Sequence, residues 1–274
     1  MRGVRRQCGG RRPLLLALLP LLAGCGAGWG WYVVTPTTPS GRANLLFLLD
    51  GMVWTVALSA TAILLGVAVG LLVALLALSG RPFLERLARV WVEGIRAIPL
   101  LVLILWVYYG LPVVAGVSLG PFTAGVLALA LSDSAFEAEI FRAGIQSIER
   151  GQHEAAEALG LCGWRKYRFV ILPQALRRIL PALGNQFVYM IKMSALVSVI
   201  GMQELTRRAN ELVVVEYRPL EIYTVLVLEY LLLILLVSNA VRRLERRLAL
   251  PGDSRRRAGP FSGRRAAAVS LRRG

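Results

Sequence analysis

The sequence predicts an all-α, polytopic membrane helical bundle, on three observations. Apolar residues make up 56% of the 274 positions and mean hydropathy is +0.61, too apolar for a soluble domain of this length. Six windows reach the roughly 20 apolar residues that a helix rising 1.5 Å per residue needs to cross hydrocarbon. Lys and Arg crowd into alternate gaps between those windows.

In chain order, residues 1–13 form a basic N-terminus with five Arg, and the first window, 14–34, follows. Pro20, Gly24, Gly26, Gly28 and Gly30 interrupt it, which membrane helices tolerate better than soluble ones. Leu22-Ala23-Gly24-Cys25 also reads as a lipoprotein signal with an acylated Cys. The apolar run continues through Trp29, Trp31, Tyr32 and Val34, longer than a signal-peptide core, which favours an uncleaved extra helix. Further spans are expected at 52–78, 97–117, 121–141, 184–202 and 220–240. The second window is long enough to tilt or protrude. Residues 249–274 are read as a basic, disordered tail at the membrane surface.

If residues 1–13 are cytoplasmic and the helices alternate, the inside segments hold 27 of the 32 basic residues. Only Arg42, Arg207, Arg208 and Arg218 fall outside, and Lys192 lies within a window. Positive charge kept on one side places both termini in the cytoplasm. Topology thus accounts for the net charge of +16, and specific nucleic-acid binding, which needs a basic folded face, is not expected.

Enzyme chemistry is not legible. Phosphate-loop and nucleophile-elbow motifs are absent, and His153, the sole histidine, leaves no triad or metal set. Cys8, Cys25 and Cys162 have no pairing pattern, so no disulfide is expected. No cofactor is expected, and energy for work must come from a partner or an ion gradient.

The polar segment 142–183 is where such a partner would dock. Ala155, Ala156, Ala158 and Leu159 suggest a short helix with a small-residue face, and Gly160 permits a sharp turn at its end. Trp164, Tyr167, Phe169, Val170 and Leu172 make a second apolar patch, which Pro173 is expected to stop. Either an amphipathic helix on the membrane or a helix plug for a cytoplasmic protein fits this pattern.

Charges inside the windows are the other candidates, because an intramembrane charge costs about 2.5–3.5 kcal/mol on insertion scales. Asp133, Ser134 and Glu137 lie in one window, Lys192, Met193 and Ser194 in another, and Glu229 in the last. Two readings stand: Asp133 or Glu137 pairs with Lys192 to hold the bundle together, or these residues line a substrate path.

Glu154-Ala155-Ala156, Gly160, Val170 and Leu172-Pro173 match, in letters and spacing, the cytoplasmic-loop motif of binding-protein-dependent ABC-transporter permeases. Arg96-Ala97-Ile98-Pro99, Ala138-Glu139-Ile140-Phe141-Arg142, Pro181-Ala182-Leu183-Gly184-Asn185-Gln186 and Arg218-Pro219-Leu220-Glu221 resemble the polar-amino-acid permeases of the histidine/glutamine type. The resemblance runs over 50–248 and implies a five-helix permease core with the helix at 14–34 added in front. It also implies a bacterial inner-membrane importer of a polar amino acid. Its partners would be two copies of a separate ATPase that binds the ATP, a second permease subunit, identical or homologous, and an extracytoplasmic amino-acid-binding protein. Glu154, Ala155, Ala156, Ala158, Gly160, Leu172 and Pro173 would form the coupling site, with closure of the ATPase switching the pore. Met193 stands where such permeases typically carry Asp or Asn. An ion-coupled secondary transporter would show internal repeats, and none is seen at a fixed period; a membrane scaffold is the other alternative.

Overall fold

The computed structural model describes residues 30–248, with side chains to residue 244. The expected window 14–34 falls mostly outside these residues, as does the tail 249–274. Where the window's end is described, it is a single 3-10 turn, Trp31–Val33, and not an α-helix.

Eight helices follow, with no strand among the described residues: α1 (Pro39–Ala77), α2 (Pro82–Ala97), α3 (Leu100–Ala115), α4 (Pro121–Gln146), α5 (Arg150–Ala158), α6 (Trp164–Ile200), α7 (Leu205–Glu216) and α8 (Pro219–Leu248). The all-α membrane bundle is therefore observed. Three of the helices, α1, α6 and α8, are long and apolar enough to cross a membrane alone, and α2 with α3, bent by 98° at their junction, are together long and apolar enough for a fourth span or a re-entrant segment. The fifth segment, α4, has 26 residues but carries Asp133, Glu137, Glu139 and Arg142, too polar to qualify by composition. It sits at the centre, packed against α1, α2, α3 and α6. Asp133 and Glu137 are thus screened by neighbouring helices.

Packing begins with α1. Pro39 at its first position and Thr38, whose hydroxyl accepts from the Gly41 amide at 3.1 Å, start the helix. Gly66 and Gly70, one turn apart, then let α4 approach closely, forming the most extensive helix pair of the fold. A Cβ on Gly70 would lie 2.5 Å from the Glu137 Cβ, and one on Gly66 would lie 2.8 Å from Asp133 Oδ2. Small residues are thus required on α1 where α4 presents its acids.

Residues 82–97, between two expected spans, form the amphipathic helix α2, and Ile98 in the extended region before Pro99 turns the chain sharply into α3. One sequence expectation is corrected, because Pro173 does not stop a helix. A π-turn over Tyr167–Ile171 accommodates the missing proline amide, and the chain stays helical from Trp164 to Ile200. α7 is capped by Glu204, whose carboxylate accepts from the Arg207 amide at 2.8 Å and the Tyr230 hydroxyl at 3.0 Å, tying α7 to α8.

Candidate functional site: the α5 loop and the polar residues of α4 and α6

α5 is nine residues long, too short to be stable by itself, and the surrounding chain supplies what holds it. At its end the Leu161 amide bonds to the Ala156 carbonyl at 3.0 Å and the Gly160 amide to the Glu157 carbonyl at 2.9 Å. With Gly160 at φ +73°, this is a Schellman cap, a conformation a side chain with a Cβ resists. Gly163 at φ +53° completes the reversal into α6.

Side chains then clip α5 to the first turns of α6. Lys166 pairs with Glu157 at 2.7 Å, Gln174 donates to Gln152 at 3.1 Å, and the rings of His153 and Tyr167 meet edge to face at 6.4 Å. Arg178 donates to the Ser147 carbonyl and, at 3.1 Å, to its hydroxyl, fixing the exit of α4. The hydrogen bond between them lowers the Glu157 pKa and raises that of Lys166, each favouring the charged partner.

The exposed surface differs from the expected alanine face. Ala155 and Ala158 point outward with Glu154 and Gly160, whereas Ala156 is buried against the bundle. Leu159, Trp164 and Phe169 are exposed, as are Leu172 and Pro173 one turn further on α6. The segment from α5 into α6 thus exposes both small and large apolar side chains.

The six candidate path residues have different surroundings. Asp133 and Glu137 are 1% and 0% exposed, pressed against Gly66 and Gly70 of α1. Asp133 Oδ1 accepts from Gln186 of α6 at 2.7 Å, while Asp133 Oδ2 and both Glu137 oxygens have no hydrogen-bond partner. Ser134 donates to the Leu131 carbonyl at 2.7 Å and accepts from the Trp91 indole at 3.1 Å. Ser194 is buried and donates to the Ile191 carbonyl, and Met193 packs on the cluster around Leu58 and Ile104. Lys192 is exposed and pairs with neither Asp133 nor Glu137, so the pairing that would hold the bundle together is not formed. Glu229 is buried with one oxygen unpartnered.

One feature was not found from the sequence. A cavity of about 780 Å³ opens between α2 and α4, lined by Glu85, Arg89, Glu93, Arg96, Glu139 and Arg142. Arg142 pairs with Glu139 at 2.7 Å, and the Arg96 guanidinium lies 5.0 Å from the Phe136 ring centre. The signal was present in the sequence: Glu85, Arg89, Glu93 and Arg96 recur at helical spacing and mark one polar helix face.

Residues 66–250 match the family described as binding-protein-dependent transport system inner membrane component. The glutamine transport system permease protein GlnP of Escherichia coli (strain K12) is 39% identical over 225 residues, covering 80% of this chain and 98% of that one. The arginine transport system permease protein ArtQ of Bacillus subtilis (strain 168) is 35% identical over 203 residues, covering 74% and 92%. A crystal structure of an amino acid ABC transporter with histidines superposes with a TM-score of 0.72 at 42% identity, covering 76% of this chain and 97% of that one.

Proposed function

The chain belongs to the family of binding-protein-dependent transport system inner membrane components, and from that premise we propose that it is the permease subunit through which an ABC importer moves a polar amino acid into the cell. It hydrolyses no ATP itself. A separate ATPase dimer docks on α5, a second permease subunit completes the pore, and an extracytoplasmic binding protein delivers the substrate. Relatives named for glutamine and for arginine transport support a polar amino acid as cargo.

The observation that carries this reading is the architecture of the α5 loop. A short helix stopped by a left-handed glycine, clipped to a spanning helix and followed by exposed apolar side chains suits transmission of movement from a cytoplasmic partner to α4 and α6. Asp133, Ser134, Glu137, Met193 and Ser194 would border the path along α4 and α6, and the mixed charges of the α2–α4 cavity suit a zwitterion leaving toward the cytoplasm.

Uptake of radiolabelled glutamine and arginine by cells carrying the complete transporter tests it. Uptake is expected to stop on ATP depletion and to survive a protonophore while ATP is maintained. Uptake that collapses with the proton gradient at constant ATP would instead identify an ion-coupled carrier.

A further inference from the structure

The described chain begins inside a cleft. The Gly30 amide donates to the Glu221 carboxyl in the first turn of α8 at 2.5 Å, and a Cβ on Gly30 would lie 2.7 Å from Arg218 Nε. Val33 and Val34 are buried in a cluster with Leu48 of α1 and Ile222 of α8, and Met52 and Val225 pack against it. Residues 30–34 are therefore wedged between the first turns of α1 and α8, and the preceding segment leaves from that cleft.

Further along, the same sides of both helices are uncovered. On α1, Met52, Val56, Ile63 and Val67 follow at intervals of four, seven and four residues, so they share one side. On α8, Val225, Glu229, Leu232 and Leu236 follow at intervals of four, three and four. Leu232 and Leu236 are more than half exposed, and Glu229 Oε2 has no hydrogen-bond partner among the described residues. Past them a groove of about 370 Å³ opens between α1, α6 and α8, with Ile63, Leu64, Val67, Leu183, Phe187 and Leu244 in its walls. No polar side chain lines it.

The occupant is set by connection and length. Residues 14–29 carry no charge and number 16, about 24 Å as a helix. Val67 is 15 positions beyond Met52, and Val241 is 16 beyond Val225, so the cleft and groove together have that length. Gly24 and Gly28, four apart, allow a neighbouring helix to come close. We propose that residues 14–29 run as a helix back from Gly30 toward Val67 and Val241, covering the α1–α8 groove of their own chain. Their tether at Gly30 gives them a local concentration that a lipid or a separate subunit lacks. Asn185 and Tyr189, each two residues beyond Leu183 and Phe187, lie on the other side of α6, so the polar side of α6 stays open to a second permease subunit. The identity of the transported amino acid does not enter.

Disulfide trapping of the full chain in its membrane tests this. In a Cys8→Ser, Cys25→Ser, Cys162→Ser background, Leu15→Cys, Leu16→Cys, Ala17→Cys and Leu18→Cys cover one helical turn. Each is paired with Leu236→Cys and, in a parallel series that serves if that chain does not insert, with Ile63→Cys. Leu87→Cys on α2, also exposed, is the control partner. At least one of the four positions is expected to close a disulfide within one chain, at a yield about fivefold or more above the Leu87→Cys control. Co-expressed copies with different tags are expected to give no mixed-tag product. No disulfide above the control at any position would overturn the proposal and leave the groove to lipid or a second subunit. Mixed-tag disulfides in place of intrachain ones would overturn it by putting the segment on the second copy. An intact mass showing that the mature chain begins at Cys25 would overturn it as well, since residues 14–24 would then be cleaved away.

Discussion

The α1–α4 interface and the α5 loop are held by opposite means. At the first, glycines bring two helices into contact while both Glu137 oxygens and Asp133 Oδ2 stand without partners, so close packing, not polar pairing between α1 and α4, fixes the geometry. At the second, little is buried beyond Ala156, and a glycine cap with a few exposed polar clips sets the shape. The membrane interface is a rigid body that tolerates no added volume. The loop, held by few buried contacts and by surface pairs, is expected to accept surface changes without disturbing the bundle.

Adding volume is the strongest way to break the contrast. Gly70→Leu forces a side chain into Glu137 and the Ser134 carbonyl, and overpacking of this kind costs about 1–3 kcal/mol or more. A clear loss of detergent Tm is expected, while Gly94→Leu on α2, where a Cβ meets nothing within 4 Å, should be tolerated. Equal losses at both glycines would remove the packing argument.

Removing the orphan charge sharpens it. Glu137→Leu keeps the volume and deletes two unpartnered buried oxygens, so stability should stay level or rise by about 1–3 kcal/mol, seen as an unchanged or higher Tm. Marked destabilisation would mean that Glu137 has a polar partner in the assembled transporter. Lys192→Met should change the Tm of lipid-stripped protein by no more than about 0.5 kcal/mol equivalent, because no ion pair is lost.

The smallest effect is expected at the Glu157–Lys166 clip. Glu157 has a depressed pKa, so its contribution is present above the ordinary value of 4.5 and is lost as pH falls through the folded value. Lys166 has a raised pKa, so its contribution is present below the ordinary 10.5 and is lost as pH rises through the folded value. The clip is therefore intact across neutral pH. Glu157→Gln should raise the proteolytic cleavage rate between residues 158 and 163 about twofold at pH 7, and wild type should approach that rate as pH falls through the lowered Glu157 pKa. A pH-independent difference would show that the pair does not hold the loop.

Much of this division is legible in the sequence. Hydropathy locates most of α1 and α8 and the C-terminal part of α6, and the spacing from Glu154 to Pro173 locates the loop. The bend between α2 and α3 is not, because Glu85, Arg89 and Glu93 lower the hydropathy of a segment that is helical nonetheless. Pro173 misleads for a local reason: a proline reads as a stop unless a π-turn absorbs it. Ala156 and Lys192 mislead for a tertiary one, since which way each residue of a known helix faces is set by its neighbours. Composition puts Lys192 and the α4 acids in one membrane, but only packing turns them apart.

The central claim is that α5 is a docking lever whose surface acts on a partner without supporting the bundle. Co-purification of the cognate ATPase with Ala155→Arg and Gly160→Val, read beside the Tm of each permease variant, tests it most directly. Ala155 points outward and Gly160 holds the left-handed cap, so both variants should keep bundle Tm within about 2 °C while ATPase recovery and uptake fall to background. Wild-type ATPase recovery in both variants, or loss of recovery only in step with a collapse of Tm, would contradict it.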